Sequence, residues 1–581
     1  MKAALKTYTT TFTVLAQDPG TRLANNLVFD SLQVPYENLG PGPTGYRVRV
    51  IDFDASADVL YAPWDADGQA GDMFPLPDSH ASARQRSAWE KRVLSDPRFH
   101  AQNVYAIVMR TLTRFEFALG RRVAWGFEGH QLHIAPHAFL QANAFYSRHD
   151  KALMFGYFRS AKTDETIFTC LSHDIVAHET THAILDGIRE GFTEPSTPDQ
   201  AAFHEGFADV VALLSVFSLP KVVELALTEG SRVEQSASGI RTIAEAAVSE
   251  EAILNSMLLG LGKQFGANLD DDGGRADCLR RSISITPSTS LLDSPDYEAP
   301  HTRGEVFAAA ILRSFVAMWS ARIKSLGRFK RSDYNLDAVL SAGASAADNL
   351  LTMAIRALDY CPPVDLDFGA YLSALLTSDV ETMPDDGRYK YRELIKGTFA
   401  SYGIKPSPFR TDPETGCWLG FANNAEVVYN RTNSESMLSN KEEVFRFLWE
   451  NRALLGIDER GYLRVSSVRA ISRVGPDGFF LRETVCEYVQ VAQLFGAEAM
   501  SQLGVERPTG MPSTQPITAY GGGTLIFDQY GRLKYHVEHR LDDADRQSKR
   551  LEYLWRNGLL DAADGQRLQF SDLHDLRCGS R

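Results

Sequence analysis

The sequence predicts an α+β fold that combines a strand-rich N-terminal part, a helical middle part and a mixed C-terminal extension. Apolar and polar residues alternate over 46–52, as they do along a half-buried strand. Helical spacing dominates from about 172 to 400, and strand-like runs return after "GIKPSPFRTDPETG" at 403–416. Because a chain of 581 residues is too long to fold around a single hydrophobic core, we predict three parts with the boundaries 1–171, 172–405 and 406–581.

The composition is that of an ordinary soluble protein, with 44% hydrophobic and 23% charged residues. The formal net charge of −14 disfavours nucleic acid as a partner, because binding to phosphates requires a basic face. No segment resembles a signal peptide or a membrane span, so we expect a cytoplasmic protein without a membrane partner, and non-classical export stays open. The six cysteines form no CxxC pair, which predicts reduced thiols.

In chain order, the strand at 46–52 is followed by a predicted helix over 98–120, which ends at Gly120. The segment "HQLHIAPH" at 130–137 predicts a further short strand. The N-terminal part is therefore expected to mix strands with at least one long helix.

Three helices of the middle part have recognisable ends. The first is predicted over 172–186. The second should begin at "TPDQ", with Thr197 as the N-cap and Pro198 as the first helical residue, and end near Leu219. The third should begin at "TRGE" with Thr302 as the N-cap, and its stretch "VFAAAILRSFVAMWSARI" predicts a buried helix.

The first of these helices contains "HETTH", in which His178 and His182 are four residues apart. Residues at this spacing lie on one face of a helix, so both imidazoles can bind one metal ion. Glu179 is offset by one residue and can act as a base beside the metal. Because the motif also arises by chance, it requires a third protein ligand before a catalytic zinc site is indicated.

The second helix contains "HEGFAD", which supplies a candidate third ligand, Glu205. Asp209, one turn later, can accept a hydrogen bond from a histidine ligand and fix its tautomer. The alternative is an exposed acidic face, but the apolar flank "FADVVALLSVF" makes an unpaired carboxylate costly there. We interpret His204 as a structural or supporting histidine and not as a ligand.

At this point the sequence resembles the thermolysin family of zinc metallopeptidases, the gluzincins, which pair HExxH with a downstream E-x-x-x-D motif. Upstream, "NAFY" resembles the family's edge strand, and the resemblance implies that Asn143 and Ala144 bind the substrate backbone as an added strand. "DIVAHE" resembles the start of the family's active-site helix. By this match, Asp174 occupies a structural acidic position and Ile175 a wall of the S1′ pocket.

Downstream, "DCLR" resembles the family's D-A-I-R motif, which includes Asp277 here. The resemblance implies that Leu279 lines the S1′ pocket and that Arg280 binds a substrate carbonyl. "DYEAPH" places Asp296 five residues before His301, which the resemblance assigns to oxyanion binding. The matches span roughly residues 100–320 and occur in the family's order.

Two features depart from the family pattern. The segment "AILDGIREGFTEPSTP" lacks the tyrosine that helps bind the oxyanion, and its nearest aromatic residue is Phe192. The calcium ligands of the family are not recognisable beyond Asp174, so calcium is not predicted. Stabilisation of the oxyanion would therefore depend more strongly on zinc and His301.

The resemblance implies a two-lobed zincin, in which an active-site helix lies between a β-rich N-terminal lobe and a helical C-terminal lobe. One Zn²⁺ would be held by His178, His182 and Glu205, with Glu179 as the general base and Asp296 orienting His301. The resemblance therefore implies an endopeptidase that prefers hydrophobic P1′ residues in peptide or protein substrates.

The alternative is a weakly active or inactive zinc-binding scaffold that acts through its C-terminal extension. The intact Glu179 argues against it, since structural zinc requires no base. The extension, 406–581, is predicted to bind a regulatory partner or to inhibit the site intramolecularly, and a packing or dimerisation role is an equal alternative.

Overall fold

The computed structural model describes residues 8–560, with gaps in this range. The gaps are 18, 20–21, 24–25, 64–70, 79, 161–163, 190–191, 193–194, 229–232, 236–238, 261–281, 283, 329–332, 423, 434 and 475–479. Helices and strands occur together throughout, and the predicted α+β class is confirmed.

The N-terminal part contains most of the short strands of the chain and two helices. Its elements are β1 (Thr9–Leu15), β2 (Arg22–Leu23), β3 (Asn26–Leu27), β4 (Phe29–Pro35), β5 (Val48–Val50), β6 (Phe53–Asp54), β7 (Val59–Leu60), α1 (Ala83–Ser95), α2 (Pro97–Leu119), β8 (Leu132–Phe139), β9 (Ala144–Ser147), β10 (Ala152–Arg159) and β11 (Thr166–Phe168).

A five-stranded sheet in the order β11-β10-β8-β5, with β9 also paired to β10, organises this part. Strands β5, β8 and β10 are parallel to one another, whereas β9 and β11 are antiparallel to β10. The predicted helix over 98–120 is confirmed as α2. The Asp96 side chain caps its start, and Gly120 ends it in the left-handed conformation with φ 66°.

The middle part is predominantly helical. Its elements are α3 (His173–Ile188), α4 (Pro198–Phe217), α5 (Pro220–Thr228), β12 (Val233–Gln235), β13 (Arg241–Ala244), α6 (Glu250–Gly260), α7 (Pro300–Lys324), β14 (Asp333–Asn335), α8 (Leu336–Ala357), α9 (Phe368–Thr382) and α10 (Tyr391–Ser401).

The two capping predictions for these helices have different outcomes. Thr197 caps α4, since its side chain accepts a hydrogen bond from Gln200 N, and that prediction is confirmed. The prediction that Thr302 caps α7 is wrong, because α7 begins at Pro300 after Ala299. Proline at the first position has its backbone angle already set for a helix, and so the helix starts two residues earlier.

Helix α7 and the segment Leu336–Tyr360, which includes α8, are long and apolar enough to cross a membrane. However, 78% and 61% of their apolar windows are buried inside the protein. Both therefore have the character of core helices, and α7 is buried as predicted.

The extension forms a four-stranded antiparallel sheet in sequence order with helices around it. Its elements are α11 (Lys441–Glu450), β15 (Tyr462–Val474), β16 (Phe480–Phe495), α12 (Gly496–Leu503), β17 (Pro516–Phe527), β18 (Leu533–His539) and α13 (Ala544–Arg556). Buried side chains of this sheet join the same apolar core as the helical part, namely Ile471, Val485, Ile526, Tyr535 and Val537.

Candidate metal centre

Helix α3 carries the two histidines of the HExxH motif on one buried face. His178 and His182 are only 7% and 4% exposed. Their Nε2 atoms lie 2.9 Å apart, and their rings are nearly perpendicular at 85°. The spacing of one helical turn therefore directs two potential ligand atoms at one point.

Helix α4 packs against α3 and brings Glu205 to the same point. One carboxylate oxygen of Glu205 lies 3.5 Å from His178 Nε2, and the other lies 3.6 Å from His182 Nε2. One ligand atom from each of the three residues lies within 4.8 Å of the other two, and all three side chains are buried. Two imidazoles and a carboxylate are a donor set that binds divalent transition metals, so these residues could hold one ion.

Asp209, one helical turn after Glu205, fixes the tautomer of His178 by binding the ring nitrogen that faces away from the cluster. The Nδ1 atom of His178 lies 2.8 Å from Asp209 Oδ1. Because a carboxylate can only accept, Nδ1 carries the proton and the lone pair of Nε2 faces the cluster. A carboxylate on the far nitrogen of a metal-binding histidine is the usual supporting arrangement.

The charge of Glu205 is maintained by the surrounding imidazoles. Burial alone would raise the pKa of this carboxyl, but His301, His182 and His178 together hold its pKa well below the ordinary value. A carboxylate that stays ionised in a buried site is suited to bind a cation.

His301 reaches the cluster from the first turn of α7. Its Nδ1 atom lies 3.5 Å from Glu205 Oε2, and its side chain is 38% exposed, so it borders solvent. Two residues later, Arg303 donates to Asp199 at the start of α4 and to the carbonyl oxygens of Leu292 and Tyr297. These bonds fix the start of α7 against α4, and thereby fix His301 relative to Glu205.

Asp296 lies in a short 3-10 turn, Pro295–Tyr297, that precedes α7. Its side chain is exposed, and its backbone N–H donates to Ser294 Oγ. The role predicted for it, to orient His301, stays a prediction.

Three further residues of α3 have predicted roles. Glu179 is fully buried beside His178. Asp174 accepts a hydrogen bond of 2.6 Å from the Ser172 hydroxyl at the helix start, and burial raises its pKa. Ile175 is partly buried and packs against the core.

The predicted edge strand is β9, which pairs with β10 and with no other strand among the described residues. Ala144 begins it, opposite Phe155. The Asn143 side chain accepts from the N–H of Ala144, and the Asn143 carbonyl accepts from the N–H of Gly156. The backbone at the start of this edge is therefore held in an extended form.

Two contacts at the site were not anticipated from the sequence. His204 stacks on His182, with ring centroids 4.6 Å apart and planes 6° apart, and burial lowers the pKa of His204 to about 4. The Tyr146 hydroxyl donates to Asp186 over 2.8 Å, which fastens β9 to the end of α3. In the sequence, the position of His204 next to Glu205 was a sign of the stacking contact. The aromatic residue of "NAFY", Tyr146, was a sign of the hydrogen bond to Asp186.

The predicted substrate-binding residues Leu279 and Arg280, together with Asp277, lie outside the described residues. Their roles stay predictions.

Comparison with known proteins adds no identification. No protein family matches the sequence, and no curated protein is similar to it.

Proposed function

We propose that this chain is a zinc-dependent metalloendopeptidase with the two-lobed architecture of the thermolysin-like zincins. One observation carries the proposal: His178, His182 and Glu205 converge within 4.8 Å in a buried cluster. Glu179, one residue after His178, is placed to serve as the base that a purely structural site would not need.

The donor set fits zinc better than a hard cation such as calcium, which prefers oxygen ligands. Three protein ligands leave the fourth position of a tetrahedral ion for water, as in catalytic zinc sites. When bound, zinc would lower the pKa of a water molecule and polarise the substrate carbonyl.

The protein's own groups account for the remaining steps. Glu179 accepts the proton of the attacking water and later transfers it to the leaving amine. His301 donates to the carbonyl oxygen as that oxygen gains negative charge, with Asp296 as its proposed orienting group. Asp209 keeps the Nε2 lone pair of His178 available, because its carboxylate accepts a hydrogen bond from the Nδ1–H of His178.

Strand β9 is the proposed binding edge for the substrate backbone. An extended peptide can pair with an edge strand through main-chain hydrogen bonds, and Asn143 and Ala144 lie at the start of β9. Ile175 and Leu279 are the proposed walls of an apolar S1′ pocket, which favours hydrophobic P1′ residues. Arg280 is proposed to bind a carbonyl on the primed side.

In the two-lobed interpretation, the sheet of β5, β8, β9 and β10 belongs to the N-terminal lobe. Helices α4 and α7 belong to the helical lobe, and α3 lies between the two lobes. The bond from Tyr146 to Asp186 connects the first lobe to α3, and the approach of Glu205 to His178 connects α3 to the second.

The proposal is tested by removing and restoring zinc in the purified protein and following the cleavage of a random peptide library. We expect cleavage before hydrophobic residues that stops on chelation and returns with zinc. Glu205→Gln should lose both zinc and cleavage. His149→Ala serves as a histidine control, because that side chain is 97% exposed, and it should retain both.

A zinc-loaded wild-type protein that cleaves no peptide would contradict the proposal and favour the scaffold alternative. Cleavage that survives complete loss of zinc would contradict it as well.

A further inference from the structure

A second group of potential metal ligands lies in the N-terminal part, apart from the cluster on α3. His100 is in α2, His137 is in β8, and Cys170 is in the 3-10 turn Thr169–Leu171 that immediately precedes α3. One ligand atom from each lies within 4.8 Å of the other two, and all three residues are buried. Nothing in the proposed peptidase chemistry uses these residues.

Hydrogen bonds to the outer nitrogens fix the tautomers of both imidazoles. His137 Nδ1 lies 2.9 Å and 3.0 Å from the two oxygens of Asp52, and His100 Nε2 lies 2.8 Å from the carbonyl oxygen of Leu94. A carboxylate and a carbonyl can only accept, so these two nitrogens carry the protons.

The inner nitrogens of the neutral rings therefore present lone pairs to each other. His100 Nδ1 and His137 Nε2 are 2.8 Å apart. Two lone pairs at this distance repel unless an electrophile lies between them, either a shared proton or a metal ion. The thiol of Cys170 lies within 4.8 Å of a ring nitrogen of each histidine and supplies a third donor, which a metal ion would bind and a shared proton would not require.

We propose that His100, His137 and Cys170 form a second metal site, which binds Zn²⁺ through two imidazole nitrogens and one thiolate. Nitrogen and sulfur donors suit zinc, at typical distances of about 2.0–2.1 Å and about 2.3 Å. Asp52 and the Leu94 carbonyl supply the supporting bonds that metal-binding histidines usually make.

The surroundings leave room for a fourth ligand. A cavity of about 910 Å³ borders the group and is lined by His100, His137 and Asp52 together with Tyr157 and Phe168. A water molecule in this cavity would complete a tetrahedral set.

The site would join three separate elements of the fold. It connects helix α2 and strand β8 to Cys170, which lies eight residues before His178 in the sequence. Bound zinc would therefore stabilise the packing of the sheet against the start of α3, the helix that carries the first candidate metal centre. Its expected effect is on stability, because binding to the native state alone stabilises that state.

Cobalt absorption distinguishes the two sites, since only the second contains sulfur. The full-length protein is stripped of metal and titrated with Co²⁺, which replaces zinc in such sites. We expect a thiolate-to-cobalt charge-transfer band in the near ultraviolet. Cys170→Ser should abolish this band. Cys361→Ser, a control at another fully buried cysteine, should retain it, as should His178→Ala.

Zinc content gives an independent count. The wild type should hold two zinc ions per chain, and Cys170→Ser and His178→Ala should each hold one. Asp52→Asn, which keeps the fold while weakening the orientation of His137, should lower the cobalt affinity measured by the band about 10–100-fold.

Absence of the charge-transfer band in the wild type would overturn the second site, whether or not the variants fold. The same holds if Cys170→Ser keeps the band or retains two zinc ions. If the wild type shows the band but holds one zinc ion, and His178→Ala keeps both, the result would support the second site and contradict the first. The two proposals can therefore fail separately.

Discussion

At the residue scale, the candidate site depends on how each histidine is held as well as on where it lies. Asp209 fixes the proton of His178 on Nδ1, and His204 stacks flat against His182. Both supports come from α4, the helix that also supplies Glu205. The potential ligand atoms of α3 are therefore held in place by α4, which would reduce the cost of organising a metal site.

Substitution of Asp209 should weaken zinc binding without removing a ligand. In Asp209→Ala, His178 loses the acceptor for its Nδ1 proton, and loss of such a supporting group lowers metal affinity about 10–100-fold. Asp209→Asn keeps an acceptor oxygen without the charge and should lie between the wild type and Asp209→Ala. Competition for zinc with a fluorescent chelator measures the affinity. Equal affinity in all three proteins would show that Asp209 has no supporting role.

The convergence of the candidate ligands on α3 and α4 could be predicted because one helical turn separates His178 from His182, and the apolar flanks of Glu205 indicate burial. The stacking of His204 could not be predicted, since the direction of its ring depends on how α3 and α4 pack. The group of His100, His137 and Cys170 was also missed, because these residues are separated by 37 and 33 positions and follow no fixed spacing.

At the scale of the elements, helices α4 and α7 approach each other closely next to the site. A Cβ atom on Gly206 would lie 2.7 Å from the carbonyl oxygen of Gly304, and one on Gly304 would lie 2.8 Å from the carbonyl oxygen of Ala202. Gly206 follows Glu205, and Gly304 lies three residues after His301. The two glycines therefore lie at the helix contact that separates Glu205, the proposed third ligand, from His301, the proposed oxyanion donor.

Gly206→Ala should force the two helices apart and lower the free energy of unfolding by about 1–3 kcal/mol, the usual cost of overpacking. It should also lower peptide cleavage, because Glu205 and His301 would separate. Denaturant unfolding and the cleavage rate measure the two effects.

Gly397→Ala is the matched control for this substitution, since nothing lies within 4 Å of its Cβ position in helix α10. Alanine should stabilise that helix by up to about 1 kcal/mol. If both variants have the same stability and activity, the close approach of α4 and α7 has no role in the site.

The elements themselves were predictable where local chemistry marks their ends. Asp96 and Gly120 bound α2, and Thr197 caps α4, so both helices follow from the sequence. The start of α7 was misplaced because Pro300 and Thr302 are both good helix starters, and the proline determined the outcome. The pairing of β9 with β10 follows from contacts across the sheet, which local patterns do not specify.

At the scale of the whole molecule, the extension is packed onto the helical part through a buried ion cluster. Arg189, which follows α3, donates to Glu487 on β16 and to the carbonyl oxygen of Pro362. Arg469 on β15 donates to Glu487 and to the carbonyl oxygen of Ile188, the last residue of α3. The end of the helix that carries both histidines is therefore held by the extension.

This arrangement affects the proposed inhibitory role of 406–581. Because Ile471, Val485 and Ile526 belong to the core of the helical part, deleting the extension would expose apolar surface as well as remove any inhibition. Single substitutions at the ion cluster test the connection more cleanly than a deletion.

Glu487→Gln should destabilise the protein at neutral pH by about 3–5 kcal/mol, because it leaves the buried Arg189 and the partly buried Arg469 without the carboxylate that balances their charge. Burial would raise the pKa of Glu487, but Arg189 and Arg469 lower it to about 2 from an ordinary value of 4.5. A lowered pKa means that the carboxylate stabilises the fold fully above about 4.5 and loses this effect as the pH falls towards about 2.

The difference in stability between the wild type and Glu487→Gln should therefore shrink as the pH falls from about 7 to about 3. Denaturant unfolding at a series of pH values measures it. A difference that is constant over this range would contradict the ion cluster.

The alternation of strands and helices made the α+β class predictable. It could not be predicted that the extension and the helical part share one apolar core. Polar linkers such as "GIKPSPFRTDPETG" indicate a change of character in the chain. They do not specify which surfaces pack together, since that depends on the shapes of both partners.

In the proposed mechanism, His178, His182 and Glu205 would hold a zinc ion on α3 and α4, and Glu179 would act as the base in peptide hydrolysis. Casein cleavage by the wild type and Glu179→Gln, compared at equal zinc content, is the decisive test of this mechanism. We predict that both proteins bind zinc, because Glu179 is not a ligand, and that the substitution slows cleavage at least about 10²–10⁴-fold. Equal cleavage by the two zinc-loaded proteins, or no cleavage by either, would contradict the claim.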